Sequence, residues 1–203
     1  YYNLIFFIIQ ISLVLICFIV LMQHSWFEDA GIAFDQALIQ SVSVSTTAGF
    51  TTTDFSNWPV FLPIMLIFSS FIGGCAGSTG GGLKVIRVFL LYLQCKREVD
   101  RLIHPKAVYS VKLGERALPD RVVEAVWGFF SAYAMIFVII MVGLIATGMD
   151  DVTAFSATAA TLNNLGPGLG EVAATYADVS DSGKWLLIVA MLFGRLEVFS
   201  LLV

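Results

Sequence analysis

Two short runs, Thr46-Thr47-Ala48-Gly49-Phe50 and Asn163-Asn164-Leu165-Gly166-Pro167, have the residue types to replace the water around a dehydrated cation. Gly49 and Gly166 stand 117 residues apart, and their neighbours align at the same offset. Such an ion needs rings of oxygen, which backbone carbonyls supply when successive residues turn them the same way. Glycine admits the positive φ that this requires. Thr46, Thr47, Asn163 and Asn164 are expected to add side-chain oxygens at the inner end, so the expected potassium contacts are these four with Gly49 and Gly166. None of the ten positions carries a fixed charge. That favours potassium or sodium over calcium, whose sites use carboxylates. One such glycine alone reads more simply as a turn between helices; its presence in two matched places favours the ion site.

A second stretch, Gly73-Gly74-Cys75-Ala76-Gly77-Ser78-Thr79-Gly80-Gly81-Gly82, holds six glycines in ten residues. It nearly follows a phosphate-loop spacing, but Leu83 stands where the lysine belongs and no Ser or Thr follows Lys84. Two readings remain open: a glycine hinge with packing duty only, or an intramembrane loop under the filter that occludes the pore or moves aside. In the second, the gating residues are Gly73, Gly74, Gly77, Ser78, Thr79, Gly80, Gly81 and Gly82, joined by Arg195. Arg195 and Glu197 lie inside an apolar run, where a charge usually faces the bundle interior or water. Facing the cavity, Arg195 opposes cation flow or holds the glycine loop by hydrogen bonds; otherwise it pairs with Glu197 or snorkels. His24 and His104 are isolated, and no Ser/His/Asp, Cys/His or metal spacing supports catalysis, so no enzyme is expected. Cys17, Cys75 and Cys95 lack paired spacing and read as packing residues.

The elements that must position these groups follow from length. Asn3 to Met22 is nearly unbroken apolar sequence, enough at about 1.5 Å per residue to cross a hydrocarbon core of about 30 Å. Val122 to Thr147 repeats the pattern, and Gly183 to Val203 begins a third span. Trp58 to Cys95 would measure about 57 Å as one helix, so the glycine stretch is expected to break it. Ile32 to Val44 and Thr153 to Leu162 are too short to span and are expected to dip in and return. Each follows an acidic pair, Glu28-Asp29 or Asp150-Asp151, that suits a helix N-terminus. Its C-terminal carbonyls would then face the cavity and favour cations. The fold expected is an all-α integral membrane protein of tandem membrane–pore-loop–membrane repeats, with short re-entrant helices and a broken long helix.

Composition agrees. Of 203 residues, 58% are hydrophobic and 13% charged, far from the balance of a soluble domain. Nine of the 11 Lys and Arg residues fall between Lys84 and Arg121, which places that stretch in the cytoplasm and the short helices on the outer side. Trp26, Trp58, Trp127 and Trp185 sit near span ends as interface anchors. The chain starts and ends inside apolar runs and reads as a piece of a longer protein; its first run lacks a signal-peptide cleavage pattern.

The two Thr/Asn-glycine runs, the broken helix from Gly73 to Lys84 and the Gly194-Arg195 pair resemble the C-terminal half of Trk-type potassium uptake subunits, in the Trk/Ktr/HKT superfamily. The resemblance implies four such repeats around one pore, these being the third (1–95) and fourth (122–203), joined by a basic cytoplasmic linker (96–121). It carries the filter onto 46–50 and 163–167, the gating loop onto 73–82 and the pore arginine onto Arg195. It further implies K+ as the transported ion, a bacterial inner membrane with its lipid, a homodimer, and a TrkA-like cytosolic nucleotide-binding ring docking on basic inner loops such as 96–121. Nucleic acid is not expected as a partner. Asn163-Asn164 replaces the paired threonines of the other repeat, which makes the filter asymmetric. The alternative is a secondary transporter for an organic or anionic solute, with the broken helix as its binding site.

Overall fold

The computed structural model describes residues 2–59, 61–75, 78, 80–104, 111–113 and 116–195. Among the described residues seven α-helices follow one another: α1 (Tyr2–Gln23), α2 (Ala30–Ser45), α3 (Leu62–Ile72), α4 (Val85–Ile103), α5 (Asp120–Ala146), α6 (Asp151–Leu162) and α7 (Asp181–Arg195). Between α4 and α5 lies a small antiparallel ladder, β1 (Lys112–Leu113) with β2 (Arg116–Ala117), which the sequence did not announce. The expected apolar runs are helices. α1 and α5 are long and apolar enough to cross a membrane, and their outward residues, such as Ile11 at 59% and Ile139 at 61% exposure, suit lipid.

Short helices form where the length argument put them, and aspartates start both. The Asp29 carboxylate accepts the Gly31 N–H at 2.9 Å; Asp150 accepts that of Thr153 at 3.0 Å. Each satisfies a donor that no helical carbonyl can reach. α3 ends at Ile72 and α4 resumes at Val85, so the glycine stretch interrupts the helix as expected. The basic segment expected as a linker from residue 96 is instead helical as far as Ile103. Lys, Arg and Glu are good helix formers, so these charges do not break the helix, and Arg97, the buried one, is bonded to Asp120 of α5 at 2.7 Å. Of the third span, α7 is described to Arg195; Glu197 and the rest of that run lie outside the described residues.

Two units emerge in chain order. α1 packs on α2 and α2 on α3; α5 packs on α6 and α6 on α7. α3 meets α6 and α4 meets α5, which joins the units. Their shared core gathers Leu21, Val44, Leu66, Ala159, Ala160 and Leu165. α6 is the central element: from Thr153 to Leu162 every residue but Phe155 is buried. Its alanines, serine and threonines let neighbouring backbones approach closely, which suits a helix surrounded on all sides.

Candidate functional site

α2 and α6 end in one backbone geometry, repeated at the 117-residue offset. Thr46 has φ −84° and ψ −2°, and Asn163 has φ −84° and ψ −3°. The next residues both turn left-handed, Thr47 at φ 60° and Asn164 at φ 53°. Three hydrogen bonds recur in register. Thr46 N–H donates to Val42 O at 3.0 Å and Asn163 N–H to Ala159 O at 3.0 Å. Thr47 N–H reaches Val44 O at 3.1 Å and Asn164 N–H reaches Thr161 O at 3.0 Å. Ala48 N–H closes on Ser43 O at 2.8 Å, and Leu165 N–H on Ala160 O at 2.7 Å. These are paired Schellman ends, which satisfy the last helical carbonyls and turn the chain out of the helix. Gly49 (φ 78°) and Gly166 (φ 105°) follow, again left-handed. A left-handed conformation at a β-branched threonine is strained, and such strain collects at functional sites.

Both segments meet. A Cβ added at Gly49 would lie 2.1 Å from the Leu165 carbonyl oxygen and 3.6 Å from Pro167 Cδ, so the two turns touch main chain to main chain. Polar side chains brace them from behind. Gln40 Nε2 donates to the Thr53 carbonyl at 3.1 Å, and the Thr52 hydroxyl donates to Gln36 Oε1 at 2.5 Å. In the second turn Leu169 N–H donates to Ser156 Oγ at 2.9 Å, and the Tyr176 hydroxyl donates to the Gly166 carbonyl at 2.8 Å. Burial pushes the Tyr176 hydroxyl up to about 12, so it stays a protonated donor. Ala48 and Phe50 are exposed, Phe50 at 77%. Gly166 and Asn164 border an apolar groove of about 480 Å³ against Leu187, Ile188 and Met191 of α7.

One expectation is corrected. The Asn163 side chain does not offer an oxygen at the inner end; it is fully buried, donates to Ser70 Oγ at 2.8 Å and accepts from the Tyr133 hydroxyl. Its backbone carbonyl stays at the turn. Asn164 Nδ2 donates to the Met191 carbonyl at 3.3 Å, and the Thr46 hydroxyl donates to Val42 O in its own helix at 2.7 Å. Thr47 Oγ1 accepts the Gly81 N–H at 2.9 Å, so its oxygen faces the glycine loop.

That loop lies against both helix ends. Added Cβ atoms would lie 1.7 Å from Asn163 O at Gly81, and 3.1 Å from Thr47 Oγ1 and 3.2 Å from Thr46 O at Gly80. At Gly81 only a residue without a side chain fits, and at Gly80 a side chain fits only if its neighbours give way slightly. Left-handed Gly73 (φ 64°) and Gly82 (φ 76°) reverse the chain so that Leu83 N–H donates to Phe71 O at 2.8 Å. Ser78, Gly80, Gly81, Gly82 and Lys84 then share a cavity of about 220 Å³ with Gly194 and Arg195 of α7. Two cationic side chains therefore border the space beside the loop. Gly74 is buried, and the expected gating residues Gly77 and Thr79 lie outside the described residues. Among the described residues no three His, Cys, Asp or Glu groups gather as a metal site. The bracing residues Gln36, Gln40, Ser70, Tyr133 and Tyr176 were missed from sequence; the one signal available was glutamine inside an apolar helix.

Comparison with known proteins gives concordant matches. The family described as TrkH, cation transport protein, matches residues 3–203. The Trk system potassium uptake protein TrkH of Vibrio parahaemolyticus is 67% identical over 198 residues, 98% of this chain and 41% of that protein. Its Escherichia coli K12 counterpart is 60% identical over 195 residues, covering 96% and 40%. A crystal structure of the V. parahaemolyticus potassium transporter TrkH superposes with a TM-score of 0.90, covering 97% of this chain and 42% of that one. The chain thus spans about two fifths of the length of these relatives.

Proposed function

The chain belongs to the TrkH family of cation transport proteins, and from that membership we propose that it supplies two repeats of a potassium-conducting pore. In this reading 46–50 and 163–167 are filter strands, with α2 and α6 as re-entrant helices whose C-terminal ends carry about half a unit of negative dipole toward the ion. Residues 1–95 form one repeat, 122–203 the other, and 96–121 the basic cytoplasmic connection.

The observation that carries the reading is the contact of Gly49 with Leu165 O, because it brings two matched, glycine-bearing helix ends to one place. The cation's ligands are main-chain oxygens, with Thr46 and Thr47 hydroxyls in support; potassium is the cargo. Open space beside Gly166 is consistent with further segments of a longer protein closing the ring. The glycine loop seated against Thr46, Thr47 and Asn163, beside Lys84 and Arg195, supports a gate directly beneath the filter. A stretch so rich in glycine can occlude and withdraw with few side-chain contacts to break. The same reading includes an inner-membrane location, a homodimer and a TrkA-like ring on the basic cytoplasmic face; these rest on the resemblance to Trk systems.

Flux measurements on the full-length subunit in lipid vesicles test it. Gly49→Ser and Gly166→Ser are expected to weaken discrimination among potassium, rubidium and sodium. Wild-type discrimination in both variants, with transport retained, removes the filter assignment.

A further inference from the structure

Asn163 stands at the end of α6 with its amide turned away from the filter. The orientation of that amide is fixed by its neighbours. Ser70 donates its hydroxyl proton to Ile67 O at 2.6 Å, so toward Asn163 its oxygen can only accept. The amide nitrogen therefore faces Ser70 at 2.8 Å, and Oδ1 receives the Tyr133 hydroxyl. Asn163 and Ser70 are fully buried, and Tyr133 is 4% exposed. This chain of bonds links α5, α6 and α3 at the base of the second strand. At the matching position of the first repeat, Thr46 donates its hydroxyl to Val42 of its own helix, and the bond between helices there is made one residue earlier, from Ser45 to Gln10 of α1 at 2.7 Å.

A second set of contacts closes the ring. The Asn163 carbonyl abuts Gly81, and an added Cβ at Gly82 would meet the Ser70 carbonyl at 2.6 Å. Ser70 and Asn163 thus touch the returning glycine loop through their backbones and each other through their side chains. We propose that Asn163 is a positioning residue which, through Ser70 and Tyr133, ties the second filter strand to the end of α3 where the glycine loop docks. A displacement of the loop from Gly81 and Gly82 reaches Leu165 and Gly166 by this route. The proposal rests on the filter reading above. A buried amide that merely satisfies the core would affect stability and nothing else.

Asn163→Thr separates the two. A threonine there can donate to Ala159 O as Thr46 does to Val42 O, so the helix end stays satisfied while the bonds to Ser70 and Tyr133 are lost. In full-length protein in vesicles, we expect its potassium-over-sodium permeability ratio to fall by about three- to tenfold, part of the worth of the two buried hydrogen bonds lost. Ser70→Ala and Tyr133→Phe should each shift the ratio less, and neither should add to Asn163→Thr. A lower thermal midpoint with an unchanged ratio in Asn163→Thr, while Gly166→Ser alters the ratio, overturns the positioning role alone. An unchanged ratio in both overturns the filter reading beneath it. If Asn163→Thr does not assemble, Ser70→Ala and Tyr133→Phe decide the matter by the same ratio, and no shift in either rejects the proposal.

Discussion

Gly49 and Gly166 look equivalent by offset, by neighbours and by their left-handed φ, yet their surroundings differ. Alanine at Gly49 would drive a methyl group to 2.1 Å from the Leu165 oxygen, and that atom is backbone that cannot swing aside. Alanine at Gly166 would meet nothing within 4 Å and bear only the conformational strain, about 1–3 kcal/mol. Gly49→Ala should therefore lower the thermal midpoint of the purified protein clearly more than Gly166→Ala; equal losses would contradict the close approach of the two turns. The same limit on sequence reasoning explains Asn163. Offset alignment shows that Thr46 and Asn163 end matching helices, but not which way a side chain points. That choice is made by Ser70 and Tyr133, 93 and 30 residues away in the chain.

Among the elements, those whose limits come from length and local chemistry were readable, and those set by tertiary partners were not. α2 and α6 are too short to span and carry aspartate caps, so both their existence and their starts were visible in sequence. The glycine break between α3 and α4 was equally plain. The continuation of α4 to Ile103 was hidden, because the charged run from residue 96 read as a polar linker and its buried member, Arg97, finds its partner Asp120 only across the intervening segment. The cap of α6 gives a pH test. Bonds from Thr153, its side chain first and then its backbone N–H, hold the Asp150 carboxyl below the ordinary carboxylate value. A depressed folded value means the stabilisation is full above the unfolded carboxylate range, about 3.9, and is lost as pH falls through the lower folded value. Asp150→Asn keeps an acceptor and should flatten that acid-side loss, whereas Asp150→Ala should cost about 1 kcal/mol at neutral pH. Thermal midpoints across the acid range check both, and an unchanged acid limb in Asp150→Asn would count against the cap's contribution.

At the scale of the whole molecule, α1–α4 and α5–α7 are joined by side chains at two separate places. The Asn163 to Ser70 bond links α6 to α3, and Arg97 to Asp120 links α4 to α5 on the basic side. The second link is lopsided: Arg97 has 9% of its side chain exposed and Asp120 has 71%. Removing Asp120 strands a buried guanidinium whose other acidic neighbour, Glu98, is 3.7 Å away. Removing Arg97 leaves a carboxylate that water can solvate. Breaking a buried pair from the exposed side is costly because an uncompensated charge stays inside, whereas an apolar replacement of the buried partner can be near neutral. Asp120→Ala should therefore destabilise the protein by more than Arg97→Met, and the double variant should resemble Arg97→Met rather than the sum of the two. Thermal unfolding of the three variants in one detergent measures this directly. Equal, additive losses would mean that the pair is a solvated surface contact and that α4 and α5 are joined there by packing alone.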